Sequence, residues 1–303
     1  MKPIAVVAAT VLLSLAAGCG SASQPADPDD GRIQVVTTIY PYQFLAQQVG
    51  GELVAVTNLT QPGAEPHDLE LTARQVSRLA EADLVIYQAG LQPAVDDAMA
   101  QTQPRQVIDV MELSRQVADP LTTADGTQGQ AIDPHVWLDP VVMAELARQL
   151  ADQLSRLQPD QAAALASRGQ RLTDQLNDLD AQFRSQLGQC QRRTFVASHA
   201  AFGYLARRYD LVQVPIAGIS PDAEPSPARM AEIQRLARDQ GITTIFFETL
   251  ASPALAQTLA DDLGLRTDVL DPIEGLTDQS AAQDYIGLMQ ADLAALVRAN
   301  DCV

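Results

Sequence analysis

Three histidines are the residues of this chain whose type and surroundings suggest chemistry. The 303-residue sequence contains no other histidine, and each one stands beside proline, acidic or small residues. Neutral imidazole is a preferred ligand of Zn²⁺, and a carboxylate can supply the fourth donor of a tetrahedron. Asp271 closes an apolar strand-like segment and fits that role. The sequence therefore predicts a zinc site built from His67, His135, His199 and Asp271.

Acidic neighbours of these residues are candidates for the groups that orient the imidazoles. Glu65 and Asp68 flank His67, and Glu248 ends a predicted strand. Carboxylates commonly accept the second ring N–H of a metal-bound histidine. A solvated turn explains Glu65 and Asp68 equally well. Glu248, or a water molecule, is the alternative to Asp271 as the fourth ligand.

Strand-like and helix-like segments alternate on both sides of a long helical region. Apolar, β-branched segments are separated by helical patterns up to residue 110 and again from residue 193, which is typical of parallel sheets covered by helices. Thr72 and Gln75 have the spacing of a capping box, and Ser198 is a candidate helix cap. From Pro140 to Leu187 the spacing is helical throughout, with an apolar stripe. The stripe includes Leu165, Leu172, Leu176, Leu179, Phe183 and Leu187.

These patterns predict an α/β fold of two lobes with mostly parallel sheets, joined by a long rigid backbone helix. We expect an N-terminal lobe at 32–157, a linking helix at 158–189 and a C-terminal lobe at 190–303. In open α/β sheets, ligands bind where strands end and helices begin. At least three of the four candidate ligands lie in such connections or at strand ends, and two of the four fall in each lobe. The metal is therefore expected in the cleft between the lobes.

The first residues have the features of an export signal. Lys2 precedes an apolar run that ends in "LAAGC", which resembles a bacterial lipoprotein box. By that resemblance, residues 1–18 are removed, and Cys19 carries the lipid that anchors the protein to the cell membrane. Residues 19–31 are small, polar and acidic, as expected of a flexible tether. The alternative is an ordinary secretory signal with an incidental cysteine.

Charge and cysteine content narrow the class of protein further. The net charge of −18, without any basic run, argues against binding to nucleic acid. Besides Cys19 the chain has only Cys190 and Cys302. An exported protein resides where disulfides form, so these two cysteines are expected to form one bridge. Two free buried thiols are the alternative.

The segments around the histidines resemble a known family, the cluster A-I zinc and manganese solute-binding lipoproteins of ABC transporters. The resemblance runs from about residue 33 to the C-terminus. It implies two α/β lobes joined by one backbone helix, with His67, His135, His199 and Asp271 as ligands. The similar segments are "QPGAEPHDLELTARQVSRLAEADLVIYQAG" (61–90), "DPHVWLDP" (133–140), "FVASHAAFGYLARRYDL" (195–211), "FFETLASP" (246–253) and "TDVLDPIEG" (267–275).

The resemblance implies a zinc-binding receptor outside the cytoplasm that delivers Zn²⁺ to the permease and ATPase of an ABC importer. We expect it to be a monomer and not an enzyme. Manganese-binding relatives typically have glutamate at the third position. This chain has His199 there, and a nitrogen donor shifts the preference toward zinc, so Mn²⁺ is the less favoured alternative cargo. A zinc hydrolase and a surface adhesin are more distant alternatives, and no HExxH motif is present. Many zinc members carry a histidine-rich loop, whereas the corresponding residues 118–131 contain no histidine.

Overall fold

The computed structural model describes residues 31–124, 130–278 and 280–303. The predicted signal, Cys19 and all of the predicted tether except Gly31 lie outside the described residues. Among the helices that are described, none combines the length and apolarity needed to cross a membrane.

Two four-stranded parallel sheets and their covering helices form the described structure. The first sheet has the strand order β2-β1-β3-β4, and the second has the order β10-β9-β7-β8. A short antiparallel pair, β5-β6, lies between them in the chain. The predicted fold class is confirmed. The elements are β1 Ile33–Thr37, α1 Tyr40–Gly50, β2 Val54–Asn58, α2 Ala73–Glu81, β3 Leu84–Tyr87, α3 Pro93–Gln101, β4 Val107–Asp109, α4 Val110–Ser114, β5 Thr122–Ala124, β6 Gln130–Ile132, α5 Pro140–Leu157, α6 Ala162–Leu187, β7 Thr194–Ala197, α7 Gly203–Arg208, β8 Val212–Pro215, α8 Pro227–Asp239, β9 Thr244–Phe247, α9 Ala254–Leu263, β10 Arg266–Val269 and α10 Tyr285–Asn300.

Local sequence signals explain why helices begin where they do. The predicted capping box of α2 is confirmed, because the Thr72 hydroxyl accepts the Gln75 N–H and the Gln75 side chain accepts the Thr72 N–H. The prediction that Ser198 caps a helix is wrong. The next helix, α7, begins only at Gly203, and the residues between form turns. Ser198 is thereby free for a contact in the site described below.

One apolar cluster runs through both halves of the molecule. Side chains alternate between the two faces of a strand, so Val35 faces this shared cluster and Val36 faces a smaller cluster outside the first sheet. In the second sheet Phe195 belongs to the shared cluster and Val196 to an outer one. The shared cluster also contains the predicted stripe of α6, which is buried throughout. The two sheets are therefore joined by packing as well as by the chain.

Helices α5 and α6 connect the two sheets as a helical hairpin. The prediction of a long backbone helix is confirmed by the 26 residues of α6. The two helices pack closely, and a Cβ added at Gly169 would lie 2.5 Å from the Cβ of Ala151. The division into 32–157, 158–189 and 190–303 stays a prediction. The shared core includes residues of all three ranges.

The predicted disulfide between Cys190 and Cys302 is confirmed. The bond joins the residues that precede β7 to those that follow α10, with a sequence separation of 112. Backbone hydrogen bonds run beside it, from Gln191 N–H to the Asp301 carbonyl and from Arg192 N–H to the Asn300 carbonyl. The last helix is thus held against the start of the second sheet.

Candidate metal centre

Four side chains from both lobes converge on one point in the cleft. They are His67 in the loop between β2 and α2, His135 before α5, His199 after β7, and Glu274 in the loop after β10. The Nε2 atom of His135 lies 3.3 Å from that of His67 and 3.4 Å from that of His199. The Oε1 atom of Glu274 lies 3.5, 3.3 and 3.6 Å from the Nε2 atoms of His67, His135 and His199.

These separations are those of a zinc tetrahedron. Zinc–nitrogen bonds of about 2.0–2.1 Å require ligand atoms roughly 3.3–3.4 Å apart in a regular tetrahedron. Five of the six separations among the four donor atoms lie between 3.3 and 3.6 Å, and all four atoms lie within 4.8 Å of one another. A donor set of three imidazole nitrogens and one carboxylate oxygen is one that Zn²⁺ prefers. The four donors are therefore arranged close to the geometry that a tetrahedral divalent ion requires.

Glu274 is a buried carboxylate that faces the Nε2 atoms of the three histidines. Its side chain is 1% exposed, and both carboxylate oxygens lack a hydrogen-bond partner among the described residues. A buried carboxylate without donors is costly, unless a cation or protonated neighbours balance its charge. The side chains of His135 and His199 are fully buried, and that of His67 is 7% exposed. The centre is therefore shielded from water, with His67 nearest to the solvent.

Two buried carboxylates orient two of the histidines. The Nδ1 atom of His135 lies 2.8 Å from Asp133 Oδ1, and that of His199 lies 3.0 Å from Glu248 Oε1. If each Nδ1–H donates to its carboxylate, each Nε2 presents a lone pair to the centre. Glu248 also accepts the hydroxyl of Ser198 at 2.7 Å. Glu248 therefore lies where a supporting group would, beside His199 rather than among the four converging donors.

Asp133 approaches its histidine closely because the neighbouring helix begins with glycine. A Cβ added at Gly203, the first residue of α7, would lie 2.4 Å from Asp133 Oδ2. Asp133 is also fixed by the N–H of His135, which donates to the same Oδ1 atom at 2.9 Å. Any larger side chain at position 203 must displace this carboxylate.

The loop that carries His67 is fastened by contacts with its backbone. The Glu65 carboxylate accepts the His67 N–H at 3.2 Å, and the buried Gln92 side chain donates to the Pro66 carbonyl at 3.1 Å. Asp68 is exposed. Glu65 thus supports the backbone beside His67, and neither acidic neighbour belongs to the converging group.

Asp271 lies outside the group of four, contrary to its predicted role. One of its carboxylate oxygens accepts the Ile273 N–H at 2.8 Å, and the other accepts the Thr249 hydroxyl at 2.8 Å. The carboxylate that reaches the histidines is Glu274, three residues further along the same loop. Asp133 and Glu274 are thus the site residues that sequence reasoning missed. Both lie inside segments quoted above for their resemblance to the family, "DPHVWLDP" and "TDVLDPIEG". That resemblance was the only signal that pointed to them.

The electrostatics of the centre favour cations strongly. Burial lowers the pKa of the His199 imidazole, but the Glu248 and Glu274 carboxylates outweigh this effect and raise the pKa to about 10. Burial also opposes the charged form of His135, yet Asp133 and Glu274 raise its pKa. Burial raises the pKa of Glu274, but the three histidines hold that pKa well below its usual range. In the metal-free protein, protons on imidazoles therefore balance the carboxylates.

Glu65 adds a further acidic group beside the centre. Burial, followed by the charge of Glu274, raises the pKa of Glu65 to about 8. A carboxyl group that holds its proton at neutral pH can lose it when a divalent cation binds nearby. Glu65 thus offers a negative charge that depends on occupancy of the centre.

Comparisons with known proteins find similar chains that are named for zinc uptake or zinc binding. The family described as zinc-uptake complex component A, periplasmic (ZnuA) matches residues 35–299. The high-affinity zinc uptake system protein ZnuA of Bacillus subtilis is 34% identical over 302 residues, which cover 96% of this chain and 95% of that protein. The zinc-binding lipoprotein AdcA of Streptococcus pneumoniae is 34% identical over 315 residues. That alignment covers 99% of this chain but 62% of AdcA, so the present chain spans less than two thirds of that relative.

A solved structure has the same fold. The Zn(II)-bound ZnuA-like domain of Streptococcus pneumoniae AdcA superposes with a TM-score of 0.74 at 36% sequence identity. The superposition covers 89% of this chain and 100% of that domain. The similarity therefore extends over both sheets and the helices that join them.

Proposed function

Because the chain belongs to the family of periplasmic zinc-uptake complex component A proteins, we propose that it captures Zn²⁺ outside the cytoplasm and delivers it to an ABC importer. His67, His135, His199 and Glu274 hold the ion, and Asp133 and Glu248 orient two of the imidazoles. One observation carries the assignment: three imidazole nitrogens and one carboxylate oxygen converge, and five of their six separations are close to those of a zinc tetrahedron.

Binding exchanges protons for metal. The protonated imidazoles that balance Glu274 in the metal-free protein must become neutral before Nε2 can ligate. Zn²⁺ then supplies the positive charge that the buried carboxylates require. The protein thus offers a preformed, dehydrated cage in which the incoming ion replaces protons.

Zinc fits this centre better than manganese. Mn²⁺ prefers oxygen donors and octahedral geometry, whereas three nitrogens and one oxygen at tetrahedral separations suit Zn²⁺. The arrangement also argues for transport rather than hydrolysis. Catalytic zinc sites keep a position open for water, and here four protein donors occupy all four positions.

Metal content and competitive titration of the purified protein test the proposal. We expect one Zn²⁺ per chain and no measurable displacement of zinc by an equal concentration of Mn²⁺. Glu274→Gln, which keeps the size of the side chain, should weaken zinc binding by about 10-fold or more, because a charged ligand is lost. Glu232→Gln, which removes an exposed acid of α8, is the matched control. Wild-type affinity in Glu274→Gln would mean that Glu274 is not a ligand.

Anchoring and delivery complete the proposed role. Lipid on Cys19 would keep a monomeric receptor at the membrane, near the permease and ATPase to which it transfers zinc. Cys19→Ala should move the exported protein from the membrane fraction to the soluble fraction. In proteoliposomes that contain the cognate permease and ATPase, the zinc-loaded receptor should stimulate ATP hydrolysis more than the metal-free receptor. Equal stimulation by both forms would contradict zinc-dependent delivery.

A further inference from the structure

The loop that delivers Glu274 to the centre contains an unusual backbone conformation. Ile273 has a φ of +57°, in the left-handed region that β-branched residues rarely adopt. Its side chain is completely buried in the shared core, so the residue is held there by its surroundings. Glu274 follows directly, and its direction depends on this turn.

A chain of three hydrogen bonds holds the turn on the side of the second sheet. Asp271 Oδ1 accepts the N–H of Ile273 at 2.8 Å. Asp271 Oδ2 accepts the Thr249 hydroxyl at 2.8 Å, and the Asp271 N–H donates to Asp292 Oδ1 at 2.8 Å. Asp292 is a buried residue of α10. Asp271 is therefore tied to α10 through Asp292 and to the bend after β9 through Thr249.

Two further contacts fasten the same loop to the opposite lobe. The Trp137 indole N–H donates to the Pro272 carbonyl at 2.7 Å, and the Tyr40 N–H donates to the Glu274 carbonyl at 3.3 Å. The Glu274 carboxylate itself has no hydrogen-bond partner among the described residues. The backbone of the loop therefore brings this side chain to the three histidines, whose Nε2 atoms lie 3.3–3.6 Å from Oε1.

We propose that Asp271 is a positioning residue for the metal centre. By accepting the Ile273 N–H it stabilises the left-handed turn that directs Glu274 towards the three histidines, and Asp292 and Thr249 hold Asp271 in place. The proposal rests on the proposed function, since it assigns a role in zinc binding. Asp271, which the sequence predicts as a ligand, would instead support the ligand Glu274.

Comparison of Asp271→Ala with Asp271→Asn tests the role of the side chain. Asparagine retains an oxygen that can accept the Ile273 N–H, so we expect its zinc affinity to stay within about threefold of wild type, whereas alanine should lose about 10- to 100-fold. Cobalt substitution reports the donor set. Asp271→Asn should keep the tetrahedral Co²⁺ absorption of the wild type, and Glu274→Gln should alter it.

Substitution at Ile273 tests the turn itself. Glycine adopts positive φ without strain, so Ile273→Gly should make the turn independent of Asp271. Ile273→Ala is the matched control, because it removes the same buried side chain but keeps the strain. Asp271→Ala should therefore cost about 10-fold or more in the Ile273→Ala background and less than about threefold in the Ile273→Gly background. If Asp271→Ala does not fold, Thr249→Val replaces it. We expect Thr249→Val to lower zinc affinity by a smaller factor, and to have no such effect in the Ile273→Gly background.

Several results would overturn the proposal. Equal losses in the two Ile273 backgrounds would show that Asp271 does not act through the turn. If Asp271→Asn lowered zinc affinity as much as Asp271→Ala and also changed the Co²⁺ spectrum, Asp271 would be a ligand. Failure of the proposed function would look different: wild-type protein would not bind zinc, or Glu274→Gln would bind it as well as the wild type.

Discussion

Replacement of Glu248 by glutamine should change how zinc affinity depends on pH. Glu248 Oε1 lies 3.0 Å from His199 Nδ1, and its charge is the main cause that raises the pKa of this buried histidine to about 10. At pH 8 only about 1% of His199 would then be neutral in the metal-free protein, so proton competition weakens zinc binding by about 100-fold, or about 2.7 kcal/mol. Between pH 7 and pH 9 the logarithm of the affinity should rise by at least about one per pH unit.

Glutamine keeps an oxygen near Nδ1 but removes the charge. The pKa of His199 should fall from about 10 towards the ordinary value of about 6.5, and the slope above pH 8 should decrease by nearly one proton. Loss of the carboxylate should also cost about 10- to 100-fold in affinity at high pH. The two proteins should therefore differ most above pH 9 and less as the pH falls.

Competition against a chelator, corrected for protonation of the chelator, measures the affinity from pH 6 to pH 10. Calorimetry in buffers of different ionisation enthalpy counts the protons released. Glu232→Gln should leave the slope unchanged. A slope in Glu248→Gln equal to that of the wild type would refute the link between this carboxylate and His199.

The stability of the metal-free protein should decrease as the pH rises, whereas its zinc affinity should increase. A raised pKa means that protonated His199 contributes stability fully below about pH 6.5, and that this contribution is lost as the pH rises through about 10. The unfolding temperature of the metal-free wild type should thus decrease as the pH rises from about 6.5 to about 10. The shift should be smaller in Glu248→Gln.

Three other variants test the structure of the centre and of the fold that supports it. Gly203→Ala places a Cβ 2.4 Å from Asp133 Oδ2 and should lower zinc affinity by about 10-fold or more, measured by competition. Unchanged affinity would show that zinc binding does not depend on the position of the Asp133 carboxylate. His199→Glu should narrow the ratio of zinc to manganese affinity, and a ratio that stays the same or widens would contradict the donor argument. Replacement of Cys190 and Cys302 by serine should destabilise the protein by about 4–5 kcal/mol in the chain-entropy model, because the bond closes a separation of 112 residues; denaturation that shows a loss below about 1 kcal/mol would contradict it.

Most of the fold could be predicted because its signals are local. Alternation of apolar strands and helical spacing predicted parallel sheets on both sides of a helical region, and the apolar stripe of α6 predicted the long helix. The turns after β7 were missed, since "SHAAFGYLARRY" has helical composition throughout. The pair β5-β6 lies mostly within residues 118–131, for which the sequence predicted no strand.

The carboxylates of the site were harder to predict than its histidines. The histidines are so few that each one stood out, whereas acidic residues are abundant. Asp271 and Glu274 lie in the same loop, and the choice between them depends on the backbone of Ile273, whose positive φ no apolar pattern indicates. Asp133 reaches His135 only because Gly203, 70 residues further along the chain, leaves room for it.

The apolar cluster shared by the two sheets makes the chain one cooperative unit. Backbone amides of β1 and β7, interior strands of different sheets, should exchange their hydrogens with solvent at similar free energies, through opening of the whole molecule. A ligand that binds only the folded state adds about 2.7 kcal/mol when its concentration is 100 times its dissociation constant. Zinc in the cleft should therefore slow exchange in both strands by the same factor, and so protect regions of the protein that it never touches.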